Sequence, residues 1–373
     1  MSHNETIARF PEVPAPPIPT RIPQSANEAR AMYAHFQMML GVVASGEILG
    51  IDLTRISNAL VVGGTGSGKS VLMRTVIESF RTAGWMIFIG DGKGSDYQGL
   101  HHQPGICAIS RRAADHVRLV RMIADELRAR QSDAIVRNAS GEADTFHRPP
   151  LVLVLDEYAN LLAAVDSAYG RESFEDDLRF VARVGREFKV HLIMSTQEAH
   201  ARTLNVGLLG HMGLRVLLGP ADGMTFSDVV PESLREEVRS IGVTIGKKDR
   251  GRGIAVLCDD EDNHSAIEFQ SFYGYSPATS KTSPERLSGA DWSRYKCEAS
   301  DKIPSLYPRF WFKVTGPDYA KSLADLYALP MVALDHAPGT PDPDMARYDP
   351  LHPSYLGADE TQLAPLMFAF GES

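Results

Sequence analysis

Cysteine is scarce. The 373 residues include three, Cys107, Cys258 and Cys297. They lie far apart and form no C-x-x-C pair, which excludes a disulfide framework and a cysteine-based zinc site and leaves ordinary thiols of a reducing compartment. Long apolar runs are also missing. No stretch of about 18 apolar residues occurs, so no transmembrane helix is expected. Met1 to Thr20 contains no apolar segment of the signal-peptide kind. A cytoplasmic location is expected, with any membrane contact made through a partner. Positive charge is in deficit: 38 Lys and Arg against 47 Asp and Glu give a formal net charge of −9. That argues against a surface coated for nucleic acid, but leaves room for a local basic channel.

What is present has the composition of a soluble globular chain, 43% hydrophobic and 23% charged, long enough for one large domain with extensions or for two. Pro11 to Pro23 read PEVPAPPIPTRIP. Residues 1–24 are therefore expected to be a flexible, extended arm without a core, available to a protein or membrane-bound partner. Ser25 to Val43 predicts a helix, residues 25–45 forming an N-terminal helical segment. Ser25 is its cap, and Ala29, Met32, Tyr33, Phe36 and Met39 fall near one face. Gly46 to Ser57 reads as a short turn-rich stretch.

From there the pattern changes. Apolar strands are predicted at Ala59–Val62, Trp85–Ile89, Leu151–Leu155, His191–Ser195, Leu214–Leu218 and Gly253–Leu257. Helical spacing lies between them, at Val71–Thr82, Arg111–Arg130 and Phe174–Phe188. Short apolar strands alternating with helices predict an α/β domain with a mostly parallel sheet covered on both faces, spanning residues 46–275. Residues 276–373 turn rich in Pro, Asp and Gly, with one helix predicted over Ala320–Leu329. They are read as a C-terminal extension, a second possible site for a partner.

Three motifs carry chemistry. Gly63, Gly64, Thr65, Gly66, Ser67, Gly68, Lys69 and Ser70 spell GGTGSGKS, between a strand and a helix. Glycines let the backbone wrap a phosphate, the helix start adds its positive dipole end, Lys69 reaches the β and γ phosphates, and Ser70 offers a hydroxyl to Mg²⁺. ATP and Mg²⁺ are the expected ligands. In LVLVLDEYANL a buried strand ends in two acids. Asp156 would hold Mg²⁺ through water, and Glu157 would act as general base on the attacking water; taken alone, such a pair would serve equally as a helix cap. In LIMSTQ, Gln197 stands at a strand tip, where it would sense the γ phosphate or orient that water.

Together these segments, with DGKGSDYQGL at Asp91–Leu100 and RVGREFKVHLIMSTQ, resemble the FtsK/SpoIIIE DNA translocases of the HerA–FtsK superfamily over about Gly46 to Tyr275. The resemblance implies a RecA-like P-loop NTPase fold and a ring, usually a hexamer, that hydrolyses ATP while threading double-stranded DNA. It also implies an arginine finger supplied to the neighbouring subunit, which maps onto Arg186, eleven positions before Gln197, with Arg183 as runner-up. The family's membrane-spanning N-terminal region and C-terminal winged helix have no counterpart here, which points to transfer of phage, plasmid or mobile-element DNA. The rival readings are a related coupling or secretion motor that pumps protein, and a non-motor nucleotide-binding scaffold. DNA phosphates would be gripped by Lys247, Lys248, Arg250 and Arg252, or by Arg128, Arg130 and Arg137; a solvated charged turn is the plain alternative for the first group.

Overall fold

Six parallel strands lie side by side in the order β8 (Leu214–Leu218), β3 (Asn58–Gly63), β7 (Val190–Thr196), β6 (Leu151–Asp156), β4 (Met86–Asp91) and β5 (Ile106–Ser110). Four antiparallel strands extend the sheet beyond β8: β9 (Arg252–Cys258), β10 (His264–Ser271), β1 (Gln37–Val42) and β2 (Ile48–Asp52). The computed structural model describes residues 10, 14–142, 146–197, 203–220, 228–246, 248–258, 264–279 and 289–358.

Every residue of β6 is buried. Side chains alternate between the two sides of a strand, so the sheet is covered on both faces, which is why the strands read as continuous apolar runs. On one face Val61, Ile87, Val152, Ile193 and Val216 join Leu72, Val76 and Phe80 of α2 (Lys69–Thr82) in one core. α3 (Ala113–Ala139) packs against α4 (Tyr158–Tyr169) and α5 (Glu172–Val184). Among the described residues no helix is long and apolar enough to cross a membrane.

Two expectations at the N-terminus are corrected. The helix predicted for 25–45 is only α1 (Ala26–Met32), capped by Ser25, whose Oγ accepts from the Glu28 amide at 3.2 Å. After a 3₁₀ turn at Tyr33–His35 the chain becomes β1, in which Met38, Leu40 and Val42 are buried at period two. The competing signal is Gly41. A Cβ there would lie 2.0 Å from the Gln270 carbonyl oxygen, so only glycine admits the close β1–β10 approach. The stretch read as turn-rich supplies the partner strand β2. The arm is not free from Pro14 onward either. Pro14 O accepts from the Tyr273 amide at 2.9 Å, and Pro23 is buried; an extended proline segment leaves its carbonyls outward and ready to accept. Residues 1–9 and 11–13 lie outside the described residues.

The chain divides into two compact units, Met1–Leu306 and Tyr307–Ser373. The first runs past residue 275 and includes the helix Gly289–Glu298. In the second, Phe310–Phe312 pairs with Met331–Ala333, and Arg309 holds both Asp335 (2.9 Å) and Asp349 (2.8 Å). The helix expected at 320–329 spans Leu323–Ala328.

Candidate nucleotide site

β3 ends at Gly63 and α2 starts at Lys69, so GGTGSGKS is the link between a central strand and a helix N-terminus, where the helix dipole favours an anion. Gly68 takes φ +102°, and a Cβ on it would meet the Gly251 nitrogen at 2.9 Å. Both facts demand glycine. The Gly251 amide in turn donates to Ser67 O at 2.7 Å. Ser67 Oγ is buried and has no hydrogen-bond partner among the described residues. An orphaned hydroxyl inside a glycine-rich loop fits a phosphate oxygen as its missing partner.

The tips of β6 and β7 surround the lysine. Lys69 Nζ lies 2.6 Å from Glu157 Oε1, 3.4 Å from Asp156 Oδ1 and 3.4 Å from Ser195 Oγ, and is buried. Asp156 also accepts from the Tyr97 hydroxyl (2.7 Å), the Glu157 amide (3.0 Å) and the Ser195 hydroxyl. Burial pushes the Asp156 carboxyl up, but the Lys69 charge and the hydrogen bonds from Ser195 and Tyr97 outweigh it and leave the group more acidic than usual. Glu157 follows the same logic: burial raises it, hydrogen bonds from Lys69 and Gln197 lower it, and the net shift is downward. Glu157 sits at φ +53°, in the left-handed region, at the corner between β6 and α4. That conformation is costly for a residue with a Cβ and clusters at working sites.

Gln197, at the end of β7, donates through Nε2 to Glu157 Oε1 (2.8 Å) and accepts through Oε1 from Thr65 Oγ1 (2.9 Å). It thereby bridges the P-loop and the acid. Lys69, Asp156, Glu157 and Gln197 are thus brought together. Reading the sequence missed several contributors: Ser195, Tyr97, Lys93 (3.3 Å from Glu157) and Asp96 (3.4 Å from Ser70 Oγ). The last two belong to a turn organised by Asp91, whose carboxylate accepts from the amides of Lys93, Gly94 and Asp96. The one acid shortly after DGKG, Asp96, was the available signal. Hard oxygen donors suit Mg²⁺; Ser70 and Asp156 would hold it, with Asp96 beside Ser70 as a further oxygen donor.

Arg186 is elsewhere. It is exposed, donates to Arg55 O at 3.1 Å, and precedes the start of β7, whereas Gln197 follows its end. Seven strand residues separate the two by roughly 20 Å.

The proposed DNA contacts need correction. Arg252 is half-buried, bound to Glu268 at 2.6 Å and stacked on Phe10 with 4.5 Å to the ring centroid, so it is structural. Lys248 and Arg250 are exposed; Lys247 lies outside the described residues. In α3, Arg130 is buried between Glu126 and Phe188 O, Arg128 pairs with Asp125 and Asp177, and Arg137 pairs with Asp133 and Glu142. Arg128 and Arg130 tie α3 to the segment from Asp177 to Phe188, and Arg137 pairs within α3 and the turn that follows it.

The sequence profile of the FtsK/SpoIIIE family matches residues 23–133. The chain is similar to the FtsK domain-containing protein YdcQ of Bacillus subtilis, 24% identical over 65% of this chain and 47% of YdcQ, so it spans about half of that relative. Among solved structures, the pCW3 conjugation coupling protein TcpA, a monomer form with ATPγS, superposes with a TM-score of 0.53 at 19% identity, covering 71% of each chain. The cytoplasmic domain of the type VII secretion ATPase EccC from Thermomonospora curvata superposes with a TM-score of 0.55 at 21% identity, over 78% of this chain and 34% of that one. At these identities the structural likeness speaks for the fold.

Proposed function

The chain carries a P-loop ATPase domain of the FtsK/SpoIIIE family, and from that premise we propose that it hydrolyses ATP to drive a polymer substrate through a transfer or secretion channel, as a coupling-type motor assembled from several copies in the cytoplasm. The observation that carries this reading is the placement of Glu157 between Lys69 and Gln197, at 2.6 and 2.8 Å. A protein that merely bound nucleotide would need no carboxylate at the strand tip held by a glutamine.

The chemistry follows from that contact. Phosphate oxygens entering the loop compete with Glu157 for Lys69. As Lys69 turns to the phosphates, Glu157 loses the hydrogen bond that holds its basicity down, and its carboxylate becomes a better proton acceptor. Gln197 keeps that carboxylate aimed beside Thr65. A water yields its proton to Glu157 and attacks the γ phosphorus; the bond to the β–γ bridging oxygen breaks, releasing ADP and phosphate. Mg²⁺, held by Ser70 and Asp156, would supply charge neutralisation on the phosphate oxygens. Arg186 stands at the far end of β7 from its own site, so a finger role requires a second copy to bring it to another chain's γ phosphate.

Double-stranded DNA is the substrate favoured by Lys248 and Arg250. Both are exposed, without an ion-pair partner among the described residues, on the loop that touches the P-loop through Gly251. The relatives named for conjugation coupling and secretion favour a transfer apparatus, whose cargo would be DNA or protein.

The deciding experiment is the ATP hydrolysis rate with and without linear double-stranded DNA at low and moderate salt. Salt-sensitive stimulation supports the DNA-moving form; a measurable rate indifferent to DNA moves the substrate to protein; no hydrolysis under any condition overturns the motor reading. Mixing Arg186→Ala with Glu157→Gln protein tests the finger. Restored turnover places Arg186 across a subunit boundary, and none removes it from the mechanism.

A further inference from the structure

Lys93 stands on the turn that follows β4 and reaches the same carboxylate oxygen as Lys69. Its Nζ is 3.3 Å from Glu157 Oε1, where Lys69 Nζ stands at 2.6 Å, and it is 3.6 Å from Asp96 Oδ2. Asp96 Oδ2 accepts in turn from Ser70 Oγ at 3.4 Å. Lys69 and Ser70 are chain neighbours, so the contacts close a ring that runs Lys69, Glu157, Lys93, Asp96, Ser70. Two consecutive P-loop residues are thereby tied to two acids, and Lys93 joins those acids to each other.

The turn is built to hold that lysine beside Glu157. The Gly92 amide donates to Asp156 O at 3.0 Å, and a Cβ on Gly92 would lie 2.6 Å from Glu157 O. Only glycine lets the turn come this close to the corner between β6 and α4. The buried Asp91 carboxylate fixes the Lys93 amide at 3.1 Å. The Lys93 side chain itself is 37% exposed, against 3% for Glu157. An ion pair exposed at both ends is worth little. Here the acid is buried, and a buried carboxylate stripped of its cation is costly.

The two lysines differ in what nucleotide does to them. Phosphate oxygens in the P-loop draw Lys69 away from Glu157. The acid then keeps Lys93 and Gln197, while Asp156 beside it adds like charge. Lys93 is therefore worth more to the protein with nucleotide bound than without it. Resting on the ATPase reading above, we propose that Lys93 is a positioning residue, the replacement counter-ion that takes over Glu157 when Lys69 turns to the phosphates and keeps the base in place. It acts through Glu157 and does not touch the nucleotide.

The test is equilibrium titration of ATPγS into four full-length proteins: the unmodified chain, Lys93→Met, Glu157→Gln and the double variant. Methionine keeps most of the side chain's length and removes its charge. Lys93→Met should weaken binding by about tenfold, the scale of one charge-assisted contact to a buried group. In the Glu157→Gln background the same change should cost less than about twofold, because a neutral amide needs no counter-ion and the coupling between the two sites is gone. Lys93→Arg, which keeps a cation there, should recover most of the loss. Thermal unfolding checks that each variant folds. Equal losses in both backgrounds would put Lys93 on the nucleotide itself or in the frame of the turn, and would overturn the proposal. Unchanged binding in Lys93→Met, or no recovery with Lys93→Arg, would overturn it as well. The unmodified chain keeps the two readings apart: no ATPγS binding there removes the nucleotide site and this proposal with it, whereas binding without coupling removes only the role of Lys93.

Discussion

Lys69 Nζ and Glu157 Oε1 stand 2.6 Å apart, both almost wholly buried. The phosphate-binding cation and the candidate base are each other's counter-ion, so nucleotide entry must break a buried ion pair before chemistry starts. Glu157→Gln removes the competitor for Lys69 and the base together. ATP affinity should hold or tighten by a few-fold, while kcat falls by about 10²–10⁴, the usual worth of a positioned base. Binding and single-turnover rates measured side by side check this; full turnover in the variant would remove Glu157 from the mechanism.

Lys69→Ala should act on both steps. It takes away the phosphate cation and leaves Asp156 and Glu157 with only the half-exposed Lys93, 3.3 Å from Glu157, to offset their charge. ATP binding should weaken by at least tenfold, and turnover should drop by about 10²–10³ or more, as when an electrostatic stabiliser is lost. Near-normal hydrolysis would contradict the site.

Gln197→Ala should separate positioning from binding. The variant loses the link from Thr65 to Glu157 but keeps the loop. KM for ATP should change little, while kcat falls by about 10–100-fold, since a misaimed base costs rate rather than affinity. A rise in KM with kcat intact would recast Gln197 as a binding residue.

Acid stability should be governed in part by two buried histidines. Burial pushes His191, bonded to Tyr33 and Ser57, and His116, bonded to Ser110, from 6.5 down to about 4. The unfolded chain therefore binds these protons more readily than the folded one. Stability is full above pH 6.5 and is lost as pH falls from 6.5 towards 4. Each histidine contributes on the order of 3 kcal/mol to that loss. Denaturant midpoints across this window measure it; His191→Gln should flatten the slope by about one proton, and an unchanged slope would refute the assignment.

In the second unit, Arg309→Ala would leave the buried Asp335 without its cation. Stripping one partner from such a pair costs about 3–5 kcal/mol. Amide exchange in Phe310–Phe312 and Met331–Ala333 should accelerate strongly; unchanged protection would show that other contacts hold the unit.

The six strands that read clearly from sequence are the ones buried on both faces, because burial leaves an unbroken apolar run. β10, HSAIEFQS, was passed over because its polar residues interrupt that run, and β1 was mistaken for helix because Met39 also falls at helical spacing after Met32 and Phe36. In the site, Lys69, Asp156, Glu157 and Gln197 were legible because a strand tip beside a P-loop constrains what a polar residue there can do. Ser195, Tyr97 and Asp96 were not, since single polar letters carry no spacing rule. Arg252 was misread for a related reason: a basic run does not reveal that Glu268 lies on the neighbouring strand of the β9–β10 ladder.

The hydrogen bond from Gly251 to Ser67 O joins residues 184 positions apart in the chain (251 − 67). During synthesis, a nascent chain would already carry Lys69, Glu157 and Gln197 some fifty residues before it possessed the backbone that closes on Gly68. Local contacts form early and distant ones late. The phosphate loop should therefore mature among the last features of the domain, and a fragment ending near residue 245 should hold Lys69, Glu157 and Gln197 yet bind nucleotide poorly.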